Sequence, residues 1–112
     1  MERCRKVWGE RYLLRGDSTH NVSYLDLTNR TRCSWHMHKE KYNLFFLISG
    51  KVGIKTEFGE TLLEPKQIFT VAPGIWHEFR VYENSQMIEE MYVSYCEEDI
   101  QREKLGGELS CE

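Results

Sequence analysis

At 112 residues, 40% hydrophobic and 12% aromatic, the chain can close one core and is too short for two ordinary domains. Fifteen Lys and Arg against 18 Asp and Glu leave a formal net charge of −3. That balance argues against a nucleic-acid partner, which calls for a basic face, and against an anionic membrane surface.

The charged opening Met1-Glu2-Arg3-Cys4-Arg5-Lys6 is followed by no apolar run, and the longest apolar stretch, 44–48, is far too short to span a bilayer. A soluble cytoplasmic protein is expected. Cys4, Cys33, Cys96 and Cys111 include no C-x-x-C pair, so free thiols are expected rather than a zinc ribbon or a disulfide framework.

Residues 7–15 read as a first strand or arm, closed by the turn signal Gly16-Asp17. Residues 22–28 alternate in their second half, with Leu25 and Leu27 on one face and Tyr24, Asp26 and Thr28 on the other, and stop at Asn29-Arg30. Residues 31–38 are rich in β-formers, and 43–49 form an apolar run ended by Gly50. Residues 52–57 alternate again, Phe58-Gly59-Glu60 reads as a hairpin turn, and 61–63, 67–71, 76–82 and 87–96 follow as short strands. Turn signals recur at the roughly 8–12-residue spacing of all-β sandwiches and barrels. Only 97–105 has a weak helical pattern. The expectation is one all-β domain, a small sandwich or jelly roll.

Three of the four histidines are placed for metal chemistry. His36 and His38 are two apart on a predicted strand, so both imidazoles point to one face. His77 follows Pro73-Gly74-Ile75-Trp76 and begins another strand just past a turn. Imidazole suits Zn, Fe, Ni and Cu alike, so the residue types leave the metal open. His20, in Ser18-Thr19-His20-Asn21, reads as a surface-loop histidine.

The order His-x-His, strand, Gly50, hairpin, turn with Gly74, then His resembles the two signature motifs of the cupin superfamily, G-x5-H-x-H-x3–4-E-x6-G and G-x5-P-x-G-x2-H-x3-N. His36, His38 and Gly50 are in register with the first, and Gly74 and His77 with the second, with Pro73 displaced by one position. Arg30 and Lys66 stand at the opening glycines, Asn43 at the glutamate and Val81 at the closing asparagine. The resemblance runs from about residue 22 onward. It implies an antiparallel jelly-roll barrel over about 20–97, with an N-terminal strand arm at 1–19 and a short tail at 98–112. It also implies one divalent transition-metal ion (Zn, Fe, Mn or Ni) on His36, His38 and His77. Asn43 in place of a charged ligand leaves the site neutral; it serves either as an amide-oxygen fourth ligand or as a group that orients water or substrate.

Strand alternation surrounds such a site with Ser34, Phe79 and Val81 and with Asn43, Phe45 and Leu47, while Glu78 and Arg80 point away. Glu89-Glu90 interrupts a strand of apolar and hydroxylic residues, and alternation sends one carboxylate inward as a candidate base. Both Glu89 and Glu90 are therefore catalytic candidates, against the plainer reading of an edge strand with two solvated glutamates. Glu40, Lys41 and Tyr42 fall near the expected pocket mouth.

Lys6-Val7-Trp8-Gly9 resembles the K-x-W-G segment of sugar-phosphate isomerase cupins, and Asp99-Ile100-Gln101-Arg102 resembles their D-I/V-x-R tail. The resemblance implies a sugar or sugar-phosphate isomerase or epimerase, in which the metal polarises a carbonyl and a carboxylate moves a proton. A three-His site also resembles the iron sites of thiol and diketone dioxygenases, and a non-catalytic small-ligand-binding cupin is the third reading. A small-molecule substrate and a homodimer, with no nucleic acid or membrane, are the expected partners.

Overall fold

The computed structural model describes residues 2–93, and these form ten strands. The strands are β1 (Glu2–Lys6), β2 (Gly9–Gly16), β3 (His20–Leu27), β4 (Thr31–Arg32), β5 (Tyr42–Ser49), β6 (Val52–Thr56), β7 (Gly59–Leu63), β8 (Ile68–Val71), β9 (His77–Val81) and β10 (Ser85–Tyr92). They make a six-stranded sheet in the order β1-β2-β3-β10-β5-β8 and a four-stranded sheet in the order β4-β9-β6-β7. Every ladder is antiparallel. Among the described residues no helix is long and apolar enough to cross a membrane.

Cross-strand register decides which face each side chain takes. Arg11, Leu25, Met87 and Leu47 lie opposite one another across β2, β3, β10 and β5, and so share the inner face of the larger sheet. Val52 and Val81, then Ile54 and Phe79, do the same in the smaller one. Leu25, Leu27, Phe45, Leu47 and Met87 from one sheet meet Val52, Ile54, Leu63, Phe79 and Val81 from the other, all buried. Each such side chain contributes about 1.5–3 kcal/mol by leaving water.

The jelly-roll expectation holds, with differences of detail. The two sheets face each other without closing into a continuous barrel. The single strand expected over 7–15 is instead the second half of a hairpin: β1 turns at Val7-Trp8 into β2, and the arm supplies two strands of the larger sheet. Gly9 permits this turn. Its φ is 136°, and a Cβ there would lie 1.9 Å from the Asp26 carbonyl oxygen. Residues 31–38 are mostly irregular, because only Thr31-Arg32 pairs as a strand. His20 opens β3 rather than sitting in a loop. The predicted helical stretch 97–105 and the end of the strand predicted over 87–96 lie outside the described residues.

The two motif positions that hold Arg30 and Lys66 instead of glycine keep a glycine-like backbone, with φ of 61° and 73°. The turn geometry is therefore fixed by the chain path: Arg30 N donates to the Val81 carbonyl at 2.8 Å and Lys66 N to the Leu47 carbonyl at 2.6 Å. A left-handed conformation costs an L-residue about 1–2 kcal/mol, whereas glycine adopts it freely but loses more entropy on folding. Arg30→Gly and Lys66→Gly are each expected to raise stability, by up to about 1 kcal/mol, read as a higher denaturation midpoint at unchanged slope.

Candidate metal centre

The site depends on how residues 33–38 run along β9. Beyond β4 the segment leaves regular pairing but stays on the same edge: Cys33 N donates to the Phe79 carbonyl at 3.2 Å. His36 and His77 then form an isolated antiparallel bridge, His36 N to His77 O at 3.0 Å and His77 N to His36 O at 2.8 Å. Between Cys33 and His36 the pairing slips by one residue, which sets His36 directly across from His77. Gly74 N donates to the His38 carbonyl at 2.8 Å and ties the other end of the segment to the turn before β9.

The three histidines converge. Their ring centroids lie 5.1 Å (His36–His38), 4.6 Å (His36–His77) and 5.6 Å (His38–His77) apart, and one nitrogen from each lies within 4.8 Å of the others. Imidazole nitrogens sharing one ion at about 2.1 Å stand roughly 3–3.5 Å apart, so side-chain rotations of about an ångström close the set.

The hydrogen bonds show which nitrogens face the centre. His36 Nδ1 donates to the Ser34 carbonyl at 2.7 Å, and His77 Nδ1 to the Ile75 carbonyl at 2.9 Å. Each bond fixes the tautomer that leaves an Nε2 lone pair free, the usual outer support of a metal-ligating histidine. His38 Nε2 is buried with no partner among the described residues. Burial lowers His38 and His77 below the ordinary histidine value and keeps the rings neutral, the form that ligates. Three converging imidazoles, one with an orphaned buried nitrogen, fit a divalent transition metal.

Asn43 is fully buried on β5, and its Oδ1 lies 3.0 Å from His77 Nε2. With Nδ1 carrying the His77 proton, two lone pairs face each other there, a contact that is unfavourable unless something positive lies against both. Two donors about 2.1 Å from one ion at a right angle would also stand about 3.0 Å apart. The Asn43 Nδ2 group donates to Glu89 Oε2 at 3.3 Å. Alternation on β10 thus turns Glu89 inward. Glu90 faces the opposite way, with Oε1 3.1 Å from His20 Nε2, apart from the three histidines. β10 is central, between β3 and β5, so the edge-strand reading of the two glutamates does not apply. Burial raises the Glu89 carboxyl from its ordinary value, against smaller lowering effects from Asn43, Arg11 and His36.

His36, His38 and Glu89 open on a cavity of about 190 Å³, also lined by Lys6, Trp8, Arg11, Cys33, Ser34, Phe79 and Met91, while His77 lies buried beside it. Ser34 and Phe79 were expected there. Phe45, Leu47 and Val81 lie in the core instead of lining the cavity. Glu40 and Lys41 are not among the lining residues, and Tyr42 stacks on Tyr92 at 5.4 Å. Sequence reasoning missed Arg11, Lys6 and Trp8 as cavity residues; the signal was Lys6-Val7-Trp8-Gly9, which carries the arm across the pocket. Cys33 is a buried free thiol, pushed up to about 12 chiefly by desolvation, and so is unreactive.

No protein-family model matches the chain, and no curated protein matches it in sequence. Solved structures do match in three dimensions. KdgF from Halomonas sp. superposes with a TM-score of 0.75 over 85% of this chain and 90% of that one, at 12% identity. An RmlC-like cupin from Shewanella frigidimarina NCIMB 400 gives 0.72 over 88% of each chain, at 14% identity. The fold is that of the cupins. The cupin domain of Cnp3 from Schizosaccharomyces pombe gives 0.69 over 76% of this chain and 64% of that one, at 10% identity. The described residues thus have the cupin fold, and within it His36, His38 and His77 meet.

The double variant His36→Ala, His77→Ala is expected to abolish zinc binding; stoichiometric zinc retained in that variant would exclude this centre. Because burial lowers His38 and His77, wild-type zinc affinity is expected to change little between about pH 8 and 7. It should fall at pH below the ordinary histidine range, as His38 and His77 protonate, measured by chelator competition.

Proposed function

We propose that the protein is a metal-dependent cupin enzyme of the cytoplasm that isomerises or epimerises a small sugar or sugar phosphate. The observation that carries this reading is Glu89, a carboxylate aimed into the histidine-lined cavity and held by Asn43. His36, His38 and His77 would hold the ion, with Asn43 Oδ1 as the fourth donor. Once bound, the ion supplies a Lewis acid for a substrate carbonyl.

The remaining chemistry belongs to the chain. Glu89 takes the proton from the carbon beside the carbonyl and returns it to the neighbouring carbon or to the opposite face. Burial raises the Glu89 carboxyl from the ordinary carboxylate value, which makes it a stronger base than an exposed glutamate. Asn43 donates to one Glu89 oxygen and so orients the other. Trp8, edge-on to Phe79 at 5.1 Å, forms an apolar wall that limits water at the reacting carbon. Glu90, paired with His20, takes no part.

Glu89→Gln is nearly isosteric and keeps the Asn43 contact as an amide pair. It is expected to lower kcat by at least about 100-fold with zinc content unchanged, the usual scale of a lost general base. Unchanged turnover of every aldose–ketose pair accepted by the wild type would remove Glu89 from the mechanism.

A second reading, a three-His iron dioxygenase, is favoured by the neutral donor set. Iron-dependent oxygen uptake would select it, and isomerisation by zinc, manganese or nickel forms without oxygen uptake would exclude it.

We also propose a homodimer. The outer face of the six-stranded sheet carries Tyr24, Leu44, Phe46, Ile48, Ile68 and Ile88, with Ile48 41% and Ile68 58% exposed. A solvent-facing sheet surface is ordinarily polar, and a second copy would cover this one. Light scattering is expected to give twice the monomer mass; a concentration-independent monomer would refute the dimer.

A further inference from the structure

Arg11 is out of place for a structural residue. It sits on β2 opposite Leu25, in the same inward row as Met87 and Leu47, and those three neighbours are fully buried. Its Nε is buried and has no hydrogen-bond partner, and no carboxylate lies within ion-pair distance of its guanidinium among the described residues. A guanidinium has five donors and never loses its charge, so holding it beside a core without a partner costs stability. Among the other described arginines, Arg80 is paired with Glu78 and Glu60, Arg3 and Arg5 lie against Glu10, and Arg15, Arg30 and Arg32 are exposed to solvent.

Arg11 faces the cavity of the histidine centre, with Lys6 exposed at the rim. The histidines come from the β4–β5 segment and β9, at the smaller sheet, whereas Arg11 and Glu89 come from the inner face of the larger one. One cavity therefore presents imidazole nitrogens, the Glu89 carboxyl and a guanidinium that acts on Glu89 electrostatically but whose Nε–H has no hydrogen-bond partner.

We infer that Arg11, aided by Lys6, forms an anion-binding subsite in this cavity, and that the small molecule taken there carries a carboxylate or a phosphate. The guanidinium fork matches either group with two parallel N–H···O bonds, and a bound anion satisfies the donor that the fold leaves open. The cavity size limits the rest of the molecule. About 190 Å³ is the liquid volume of about six waters, below the roughly 300–1,000 Å³ that drug-sized ligands occupy. A short-chain acid or a phosphate ester fits inside the cavity, and a longer molecule would have to extend through its open mouth. The inference rests on the proposed function only in treating this cavity as the substrate site.

The test is a titration of the full chain, free of added metal, with inorganic phosphate and separately with acetate, following the Arg11 Nε–H resonance by NMR. Saturable movement of that resonance is expected with at least one of the two, and the more effective one identifies a phosphate or a carboxylate as the ligand group. Arg11→Gln is expected to weaken that binding at least tenfold, and Lys6→Gln severalfold. Zinc stoichiometry should be unchanged in both variants. Arg11→Lys, which keeps the charge and loses the fork, should restore part of the affinity.

An Arg11 resonance that neither anion moves would overturn the inference, as would undiminished anion binding in Arg11→Gln. If Arg11→Gln does not fold, the wild-type titration and Arg11→Lys decide. Anion binding that persists in a protein unable to hold zinc would end the metal-enzyme reading and leave the subsite standing. Zinc-dependent turnover with no response at Arg11 would do the reverse.

Discussion

Two backbone hydrogen bonds between His36 and His77 hold the functional end of this molecule together. They join an irregular segment to the first residue of a strand 41 positions later, and through that one bridge the rings of both residues are set side by side. The one-residue slip that precedes the bridge matters as much as the bridge itself. Without it, Trp35 would stand across from His77, and because alternation along a strand has a period of two, the imidazoles would turn to the other face. The donation from Gly74 to the His38 carbonyl fixes the far end of the same segment, so His38 is carried in by its neighbours without strand pairing of its own.

Around this bridge the protein assembles groups that a purely structural core would avoid. Asn43, His77 and Ser23 are buried, and Glu89 is desolvated beside them. Buried polar groups are tolerated when they are paired, and here most are: each His77 and His36 Nδ1 has a backbone carbonyl, and Asn43 reaches Glu89. The exceptions, His38 Nε2 and Arg11 Nε, both belong to residues that line the same cavity. Unmet hydrogen-bonding capacity is thus concentrated in one cavity, an imidazole nitrogen on one side and a guanidinium N–H on the other.

The neutral character of the donor set shapes what the centre can do. Asn43 occupies the place where a glutamate would bring charge to the ion, so an ion on His36, His38 and His77 would keep its full positive charge and polarise a ligand strongly. The nearest carboxyl, Glu89, stands one hydrogen bond further out, on Asn43, and is not among the three converging side chains. Arg11 sits on the same inner sheet face and draws Glu89 back toward its ionised form, partly offsetting its burial.

Much of this was legible in the chain itself. Alternation in residues 22–28 and 52–57, the turn signals between short strands, and the spacing of His36, His38 and His77 determined an all-β domain and the three histidines, because side-chain direction in a strand is a local property. The facing of Glu89 or Glu90 was left open by the same rule, since alternation says that one points inward but not which; the register of β10 against β3 and β5 decided it. Likewise a nine-residue β-prone stretch at 7–15 carries no mark of the hairpin that Gly9 makes, or of the sheet that β2 joins. Arg11 becomes a cavity residue only because β2 pairs with β3 at Leu25. The sequence by itself determined the three histidines, Asn43 and the Glu89-Glu90 pair as candidates, and not Arg11. Only the tertiary structure decided which of them meet, because meeting depends on the register between strands far apart in the chain.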